Sequence, residues 1–256
     1  MNETVAIDNA VEDSLVSPAP VRAVEKEAAP PGDAEALRKA LAEAELHRST
    51  LAHRIPVVGD AMDKLGLQRQ YLPPGIRPLS SDMAVVGRAM PVLEADVFGE
   101  PDKPFGVMLE ALDDLKQDEV YVCAGGSPRY AVWGEHMSTR AMKLGAAGAV
   151  MSSYARDTHG IIAMGFPTFA LGSYGQDQGP RGKVIDFRCT VQIEQAVIRP
   201  GDIILGDVDG VLVVPREAEE EVFSKSIEKA RGEKMVMQAL QEGLSAVEAF
   251  SKFGIM

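Results

Sequence analysis

Residues 118–151 read DEVYVCAGGSPRYAVWGEHMSTRAMKLGAAGAVM. The run Val120-Tyr121-Val122-Cys123 is short and apolar, entered from a turn and broken by Gly125-Gly126-Ser127-Pro128, the pattern of a buried strand. From Glu135 to Leu144 the period changes. Met137, Ala141 and Leu144 fall on one helical face, and Gly145 stands where a helix closes. Ala149-Val150-Met151 is a second buried strand. Strand, glycine turn, helix, strand is a βαβ unit.

Outward from this unit, Val85-Val86-Gly87-Arg88-Ala89 begins an earlier strand. Val57 to Leu65 reads as a short helix ending at Gly66, and Leu72-Pro73-Pro74-Gly75 as a turn. On the C-terminal side, Ile185, Phe187, Cys189, Val191 and Ile193 alternate with polar residues, which predicts one half-buried strand. Pro200-Gly201-Asp202 is a turn before Ile203-Ile204-Leu205. Asp209-Gly210 has the composition of a tight hairpin turn before Val211-Leu212-Val213-Val214, which Pro215 ends. From Glu217 a long helix is expected, with Val222, Phe223, Ile227 and Ala230 inward. Parallel βα units mixed with hairpins predict a layered, mixed α/β fold rather than a purely doubly wound sheet.

The first 33 residues differ in kind. They are rich in Ala, Pro, Glu and Asp, including Ser17-Pro18-Ala19-Pro20 and Pro30-Pro31-Gly32-Asp33. Such a segment buries too little apolar surface to fold alone. Over Asp33 to Leu51, Ala34, Leu37, Leu41 and Ala44 trace a helical face with Asp33 as N-cap. The expected organisation is an N-terminal extension over 1–51, partly disordered or helical, and one domain over 52–256. The extension could also strap along a neighbouring subunit.

The chain has 256 residues, 46% of them hydrophobic, enough for one sizeable core. Its net charge of −12 repels phosphate backbones, so no nucleic-acid partner is expected. A local cationic pocket can still attract an anionic small molecule. Cys123 and Cys189 are widely separated, which suits two free thiols in a reducing cytoplasm. No apolar run reaches bilayer length and the N-terminus lacks a basic start with an apolar run, so neither a membrane span nor a signal peptide is expected.

No GxSxG, HExxH, GxxxxGK[ST] or post-strand GxGxxG occurs. His47, His53, His136 and His159 show no ligand spacing. Two features remain. Trp133-Gly134-Glu135-His136-Met137 opens the helix of the βαβ unit, and a helix start presents unpaired N–H groups to an anion. Tyr154-Ala155-Arg156-Asp157-Thr158-His159-Gly160 lies just past the second strand, where sites gather in open α/β sheets. Arg156 offers a planar fork for a carboxylate, and Asp157 a hard oxygen for Mg²⁺ or Mn²⁺. Either feature alone suits an ordinary helix start or a surface ion pair. The βαβ unit returns both to one sheet edge, and together they suit a metal-chelating anion.

Glu135, twenty residues, then Arg156-Asp157 resembles the acidic-x20-Arg-Asp motif of the family that contains 4-hydroxy-4-methyl-2-oxoglutarate aldolase and the regulator of ribonuclease activity A. Gly165-Phe166-Pro167-Thr168-Phe169 and Arg199-Pro200-Gly201-Asp202 through Gly206-Asp207-Val208-Asp209-Gly210-Val211 and Val213-Val214-Pro215 resemble further family signatures in order. The tail Val247 to Ile255 is similar to family C-termini. The sequence departs at Ser152-Ser153, where the family often has Asp-Gly, and in having no glycine between Gly182 and Gly201.

The resemblance implies a compact layered α/β/β/α domain with mixed sheets, a homotrimer or homohexamer with active sites between subunits. It implies a divalent cation, Mg²⁺ or Mn²⁺, held by Asp157 and by a glutamate of the neighbouring subunit, best matched by Glu233. It implies a 2-oxo acid bound by Arg156 and by the backbone N–H groups of His136 and Met137, with Glu135 as a catalytic acidic group. The activity implied is metal-dependent retro-aldol cleavage of a 4-hydroxy-2-oxo acid to pyruvate, with oxaloacetate decarboxylation as a side reaction. The alternatives are another lyase on a 2-oxo acid, or a non-enzymatic ribonuclease-binding regulator of the kind found in one branch of the family.

Overall fold

A computed structural model describes residues 55–99 and 103–255. The N-terminal extension, its expected helix over Asp33 to Leu51, and His47 and His53 lie outside the described residues. Among the described residues no helix is long and apolar enough to cross a membrane.

The chain begins with α1 (Ile55–Lys64), followed by the two-residue β1 (Arg77–Pro78) and the long β2 (Val85–Asp96). Then come α2 (Met108–Asp113), β3 (Glu119–Gly125), β4 (Ala131–Trp133), α3 (Glu135–Leu144), β5 (Gly148–Met151), β6 (Tyr154–Ala155), α4 (Thr158–Met164) and β7 (Thr168–Ala170). The second half is β8 (Gly182–Phe187), β9 (Val191–Ile193), β10 (Ala196–Ile198), β11 (Ile203–Asp207), β12 (Gly210–Val214), a 3₁₀ turn, α5 (Glu219–Gln241) and α6 (Ala246–Phe253).

The main sheet runs β1-β7-β5-β3-β2-β11-β12, with β8 also on β2. Its centre is parallel (β2, β3, β5, β7), as the βαβ unit requires, and its flanks are antiparallel. Period-two alternation gives each strand two buried faces. Tyr121, Cys123, Ala149 and Met151 face one cluster with Trp133, Ala141 and Phe166. Val120, Val122 and Val150 face the other, with Phe169, Ile204, Val211 and Val213. The sheet curls around this second cluster until its edges meet: Arg77 Nη1 of β1 donates to the carbonyl of Val208, between β11 and β12, at 2.9 Å. The antiparallel pair β9–β10 packs into the same cluster. Helices α2, α3 and α4 cover one outer wall. On the other, Ile55, Val58 and Met62 of α1 and Val222 of α5 cover Ile203, Leu205, Leu212 and Val214. The result is the expected layered, mixed α/β fold, with the sheet nearly closed.

Three local readings shift. The alternating stretch from Ile185 to Ile193 is two strands rather than one. The strand breaks at Arg188, whose φ is 53°. Ile185 is exposed, while Val191 and Ile193 enter the inner cluster. The Arg188 guanidinium fixes the break by pairing with Asp114 and by donating to both Glu119 oxygens (2.7 and 2.8 Å). Alternation alone cannot see a kink held by ion pairs distant in sequence. The β11–β12 hairpin turns one residue earlier than expected, because Asp207 pairs with Gly210 and leaves Val208-Asp209 as the loop. Asp207 Oδ1 accepts from the Asp209 N–H at 2.7 Å, which holds that turn. On α5 the buried positions are Val222, Ser226, Gly232 and Val236, while Phe223, Ile227 and Ala230 are half-buried.

Arg188→Ala is expected to cost about 1–3 kcal/mol, because it leaves Glu119 and Asp114 partly buried without their cation. Urea unfolding checks this, and a midpoint unchanged from wild type would overturn the assignment.

Candidate functional site

Strands β4 and β6 form a small parallel ladder apart from the main sheet. It holds together the two segments that carry chemistry. The Arg156 N–H donates to the Trp133 carbonyl at 2.9 Å. Trp133 is buried against Tyr121 and Phe166, with ring centroids 4.9 and 6.0 Å away. Its indole Nε1 donates to Ser138 Oγ at 2.7 Å, and that hydroxyl donates to the Gly134 carbonyl at 3.1 Å. The start of α3 is thereby locked from behind.

Gly134 is the N-cap of α3, in extended backbone and without a side-chain cap. The first N–H groups of α3 therefore have no side-chain acceptor at the cap. A Cβ at Gly134 would lie 3.0 Å from Asp157 Oδ2 and 3.5 Å from Arg156 Cγ. The Arg156-Asp157 pair thus stands directly over the helix start, and a larger residue at 134 would push it away. Asp157 is itself in the left-handed region (φ 55°, ψ 32°) as N-cap of α4, and its side chain makes no capping bond. A non-glycine residue there costs about 1–2 kcal/mol in backbone energy, and such conformations cluster at functional positions.

Arg156 lies between two carboxylates. Nε is 3.7 Å from Asp157 Oδ2, and Nη1 is 3.4 Å from Asp177 Oδ1. Both are long for ion pairs and the groups are partly exposed, so the guanidinium keeps capacity for a further anion. Glu135 approaches from α3: its carboxylate is 2.4 Å from where a Gly160 Cβ would be, above the first turn of α4. These residues line an open cleft with His159, Tyr174 and Gly175. His136 is exposed and Met137 half-buried on the first turn of α3. The structure therefore brings Glu135, Arg156, Asp157 and the start of α3 together.

Glu233 lies elsewhere in the same chain. On α5 it pairs with Lys229, whose ammonium also reaches Asp60 of α1 at 3.0 Å. It does not line the cleft of its own subunit.

Among the described residues no three His, Cys, Asp or Glu gather into a ready-made metal site. One exposed carboxylate without a capping bond nonetheless suits Mg²⁺, which uses one or two protein carboxylates and takes its other ligands from water and substrate. Asp157 fits that demand.

Other residues of the site give no sequence motif. Asp177 meets Arg156 from a loop that lies along the small ladder: Tyr174 N–H donates to the Ala155 carbonyl (2.9 Å) and Ala131 N–H to the Gln176 carbonyl (2.8 Å). Next to it, Gln178 Nε2 donates to both oxygens of Glu94 at 2.9 Å. Glu94 is 2% exposed, at the end of β2. Its one signal in the sequence is a lone carboxylate inside an apolar strand. Burial pushes the Glu94 carboxyl up to about 8, with Asp96 adding to the shift and bonds from Gln178 and Tyr130 opposing it. The folded protein then holds a proton at Glu94 that the unfolded chain releases above about pH 4.5. Stability therefore falls as pH rises from about 4.5 to about 8 and levels off above that. Glu94→Gln should flatten this part of the pH–stability curve; an unchanged slope would refute the buried-acid assignment.

The fold and cleft define a layered α/β protein in which Glu135, Arg156, Asp157 and the start of α3 share a corner outside a curled mixed sheet. The chain belongs to the RraA-like family, whose Aldolase/RraA model matches residues 55–213. It is 30% identical over 212 residues to a protein of Halalkalibacterium halodurans whose name, 4-hydroxy-4-methyl-2-oxoglutarate aldolase, is a provisional assignment; the match covers 82% of this chain and 96% of that one. It is 28% identical over 195 residues to protein DlpA of Legionella pneumophila, covering 75% of this chain but only 31% of DlpA. Streptomyces coelicolor RraAS2, described as an unusual member of the RNase ES inhibitor RraA family, shares the fold, with TM-score 0.65 and 22% identity over 75% of this chain and 94% of that one.

Proposed function

We propose that this protein is a divalent-metal-dependent lyase that cleaves a 4-hydroxy-2-oxo acid to pyruvate. The observation that carries the reading is the placement of the Asp157 carboxylate and Arg156 guanidinium against the start of α3. The aldolase name of a relative matched over most of both chains supports it.

The residues divide the work as follows. The N–H groups of His136 and Met137 and the Arg156 fork bind the substrate carboxylate and oxo oxygen, fixing the 2-oxo acid flat against the helix start. Asp157, with Glu233 of a neighbouring copy, would hold Mg²⁺ or Mn²⁺. When bound, the cation supplies Lewis-acid stabilisation of charge developing at the oxo oxygen. Arg156 and the helix start add fixed positive potential aimed at the same place. Glu135, on the cleft wall, accepts the proton of the C4 hydroxyl. The C3–C4 bond then breaks, C4 leaves as a carbonyl, and C3 takes up a proton to give pyruvate. Oxaloacetate fits the same contacts and loses carbon dioxide through the same charge distribution. Active sites shared between subunits of a homotrimer or homohexamer follow from the place given to Glu233.

Pyruvate release from 4-hydroxy-4-methyl-2-oxoglutarate and from oxaloacetate, with Mg²⁺ and with EDTA, tests the reading. Release that EDTA abolishes is expected, and the ratio of the two substrates separates aldolase from decarboxylase. No release from either by folded, Mg²⁺-loaded protein would overturn it.

A further inference from the structure

One short stretch, Asp177-Gln178, links the cleft to a buried carboxyl in the protein interior. Asp177 holds Arg156 Nη1 at 3.4 Å, and Gln178 donates to both oxygens of the buried Glu94 at 2.9 Å. Glu94 itself is closely packed. A Cβ at Gly182, on β8, would lie 2.3 Å from Glu94 Oε1 and 2.2 Å from the Tyr130 hydroxyl. A Cβ at Gly126 would lie 3.0 Å from Glu94 Cγ. The carboxyl is therefore wedged between β8, the loop after β3 and Gln178.

The groups facing Glu94 come from four places. Asp96 follows it on β2. Tyr121 and Cys123 approach from β3. Burial is the main reason both hold their protons more tightly; Glu94 adds to it at Cys123, and Cys123 and then Glu94 add to it at Tyr121. Tyr130 approaches from the loop before β4 and donates to Asp96 Oδ1 at 2.9 Å. Gln178 closes the last side. Arg129 is the cation of the group, but it pairs with Asp96 Oδ2 at 3.2 Å, on the exposed side. A carboxyl in such surroundings resists ionisation, and ionisation changes what Gln178 binds. A neutral acid offers Gln178 one carbonyl oxygen, whereas a carboxylate offers two charged acceptors.

We propose that Glu94 is a positioning residue for the anion site: through Gln178 it sets how firmly Asp177 holds Arg156, so that the charge state of a buried carboxyl governs how freely Arg156 meets the substrate. The inference rests on the reading of Arg156 as the substrate-binding cation. It assigns regulation to that site by a group that never touches substrate. Ionised Glu94 tightens its bonds to Gln178, fixes Asp177 on Arg156 and adds negative charge behind the cleft. All three changes weaken anion binding.

The test is the ¹⁵Nε resonance of Arg156, assigned with Arg156→Lys, followed from pH 6.5 to 9.5 in the full-length protein, alongside oxalate binding by calorimetry in Mg²⁺. In the wild type the Arg156 resonance should shift with a midpoint near pH 8, and oxalate affinity should fall about three-fold between pH 7 and 9. In Glu94→Gln, which keeps the size and most of the bonds, both changes should vanish. Gln178→Ala, which leaves Glu94 in place and cuts the link, should reduce the shift at Arg156 to the part that charge alone carries. A shift that persists unchanged in either variant, or no shift in the wild type, would overturn the proposal. Failure of oxalate to bind the wild type while the Arg156 shift follows Glu94 would sink the substrate reading instead and leave the coupling standing.

Discussion

Asp157→Ala should reduce metal-dependent pyruvate release by about 10²–10³-fold or more, the equivalent of losing several kcal/mol of transition-state charge stabilisation. The fold should survive. The side chain is exposed, makes no capping bond to α4, and its ion pair to Arg156 is long. Alanine tolerates the left-handed backbone at 157 less well than asparagine does. Asp157→Asn therefore separates the two effects, because it keeps the conformation and removes the charge. Both variants should lose Mg²⁺-dependent turnover, with Asn closer to wild type in thermal stability. An Asn variant that retains Mg²⁺-stimulated activity would show that the carboxylate holds no metal.

Trp133→Ala is expected to be the most destabilising single change near the site, at about 3–5 kcal/mol. The indole fills the space between Tyr121 and Phe166, and its N–H satisfies Ser138, which is fully buried. Trp133→Phe keeps most of the volume and strips Ser138 of its donor, so its cost should be about 1–3 kcal/mol. Urea unfolding gives both values. Because Ser138 in turn bonds the Gly134 carbonyl, the Phe variant should also raise KM more than it lowers kcat, through a loosened helix start. A Phe variant as stable as wild type would mean that the indole N–H bond contributes nothing.

The parts of this molecule legible in sequence are those decided locally. The βαβ unit could be read because each element carries its own signal: an apolar run, a helical period from Glu135 to Leu144, and Gly145, which does close α3 in the left-handed conformation. The convergence of Glu135 with Arg156-Asp157 followed from topology, since parallel neighbours return to one edge. What stayed hidden was decided by groups far apart in the chain. The strand break at Arg188 depends on Asp114 and Glu119, some seventy residues earlier. Asp177 carries no motif and earns its place at Arg156 only once the loop lies along β4 and β6. Glu94 sits in a strand whose apolar pattern hides it, and its partner is 84 residues away. Glu233, matched to the site by resemblance alone, faces Lys229 and α1 within its own chain, and a second copy is needed to bring it to Asp157.

The small ladder of β4 and β6 has a consequence for how such a protein can change. Every side chain placed in the cleft hangs on this two-stranded annex, on the helix starts beside it or on the loop laid along it, while the curled sheet carries none of them. The curled sheet acts as a chassis and the annex as its tool head. Randomising residues 173–177 with 158 and 159 should therefore retune substrate choice with little loss of folded protein, which makes this annex the place where relatives with different chemistry would diverge and where a designer would start.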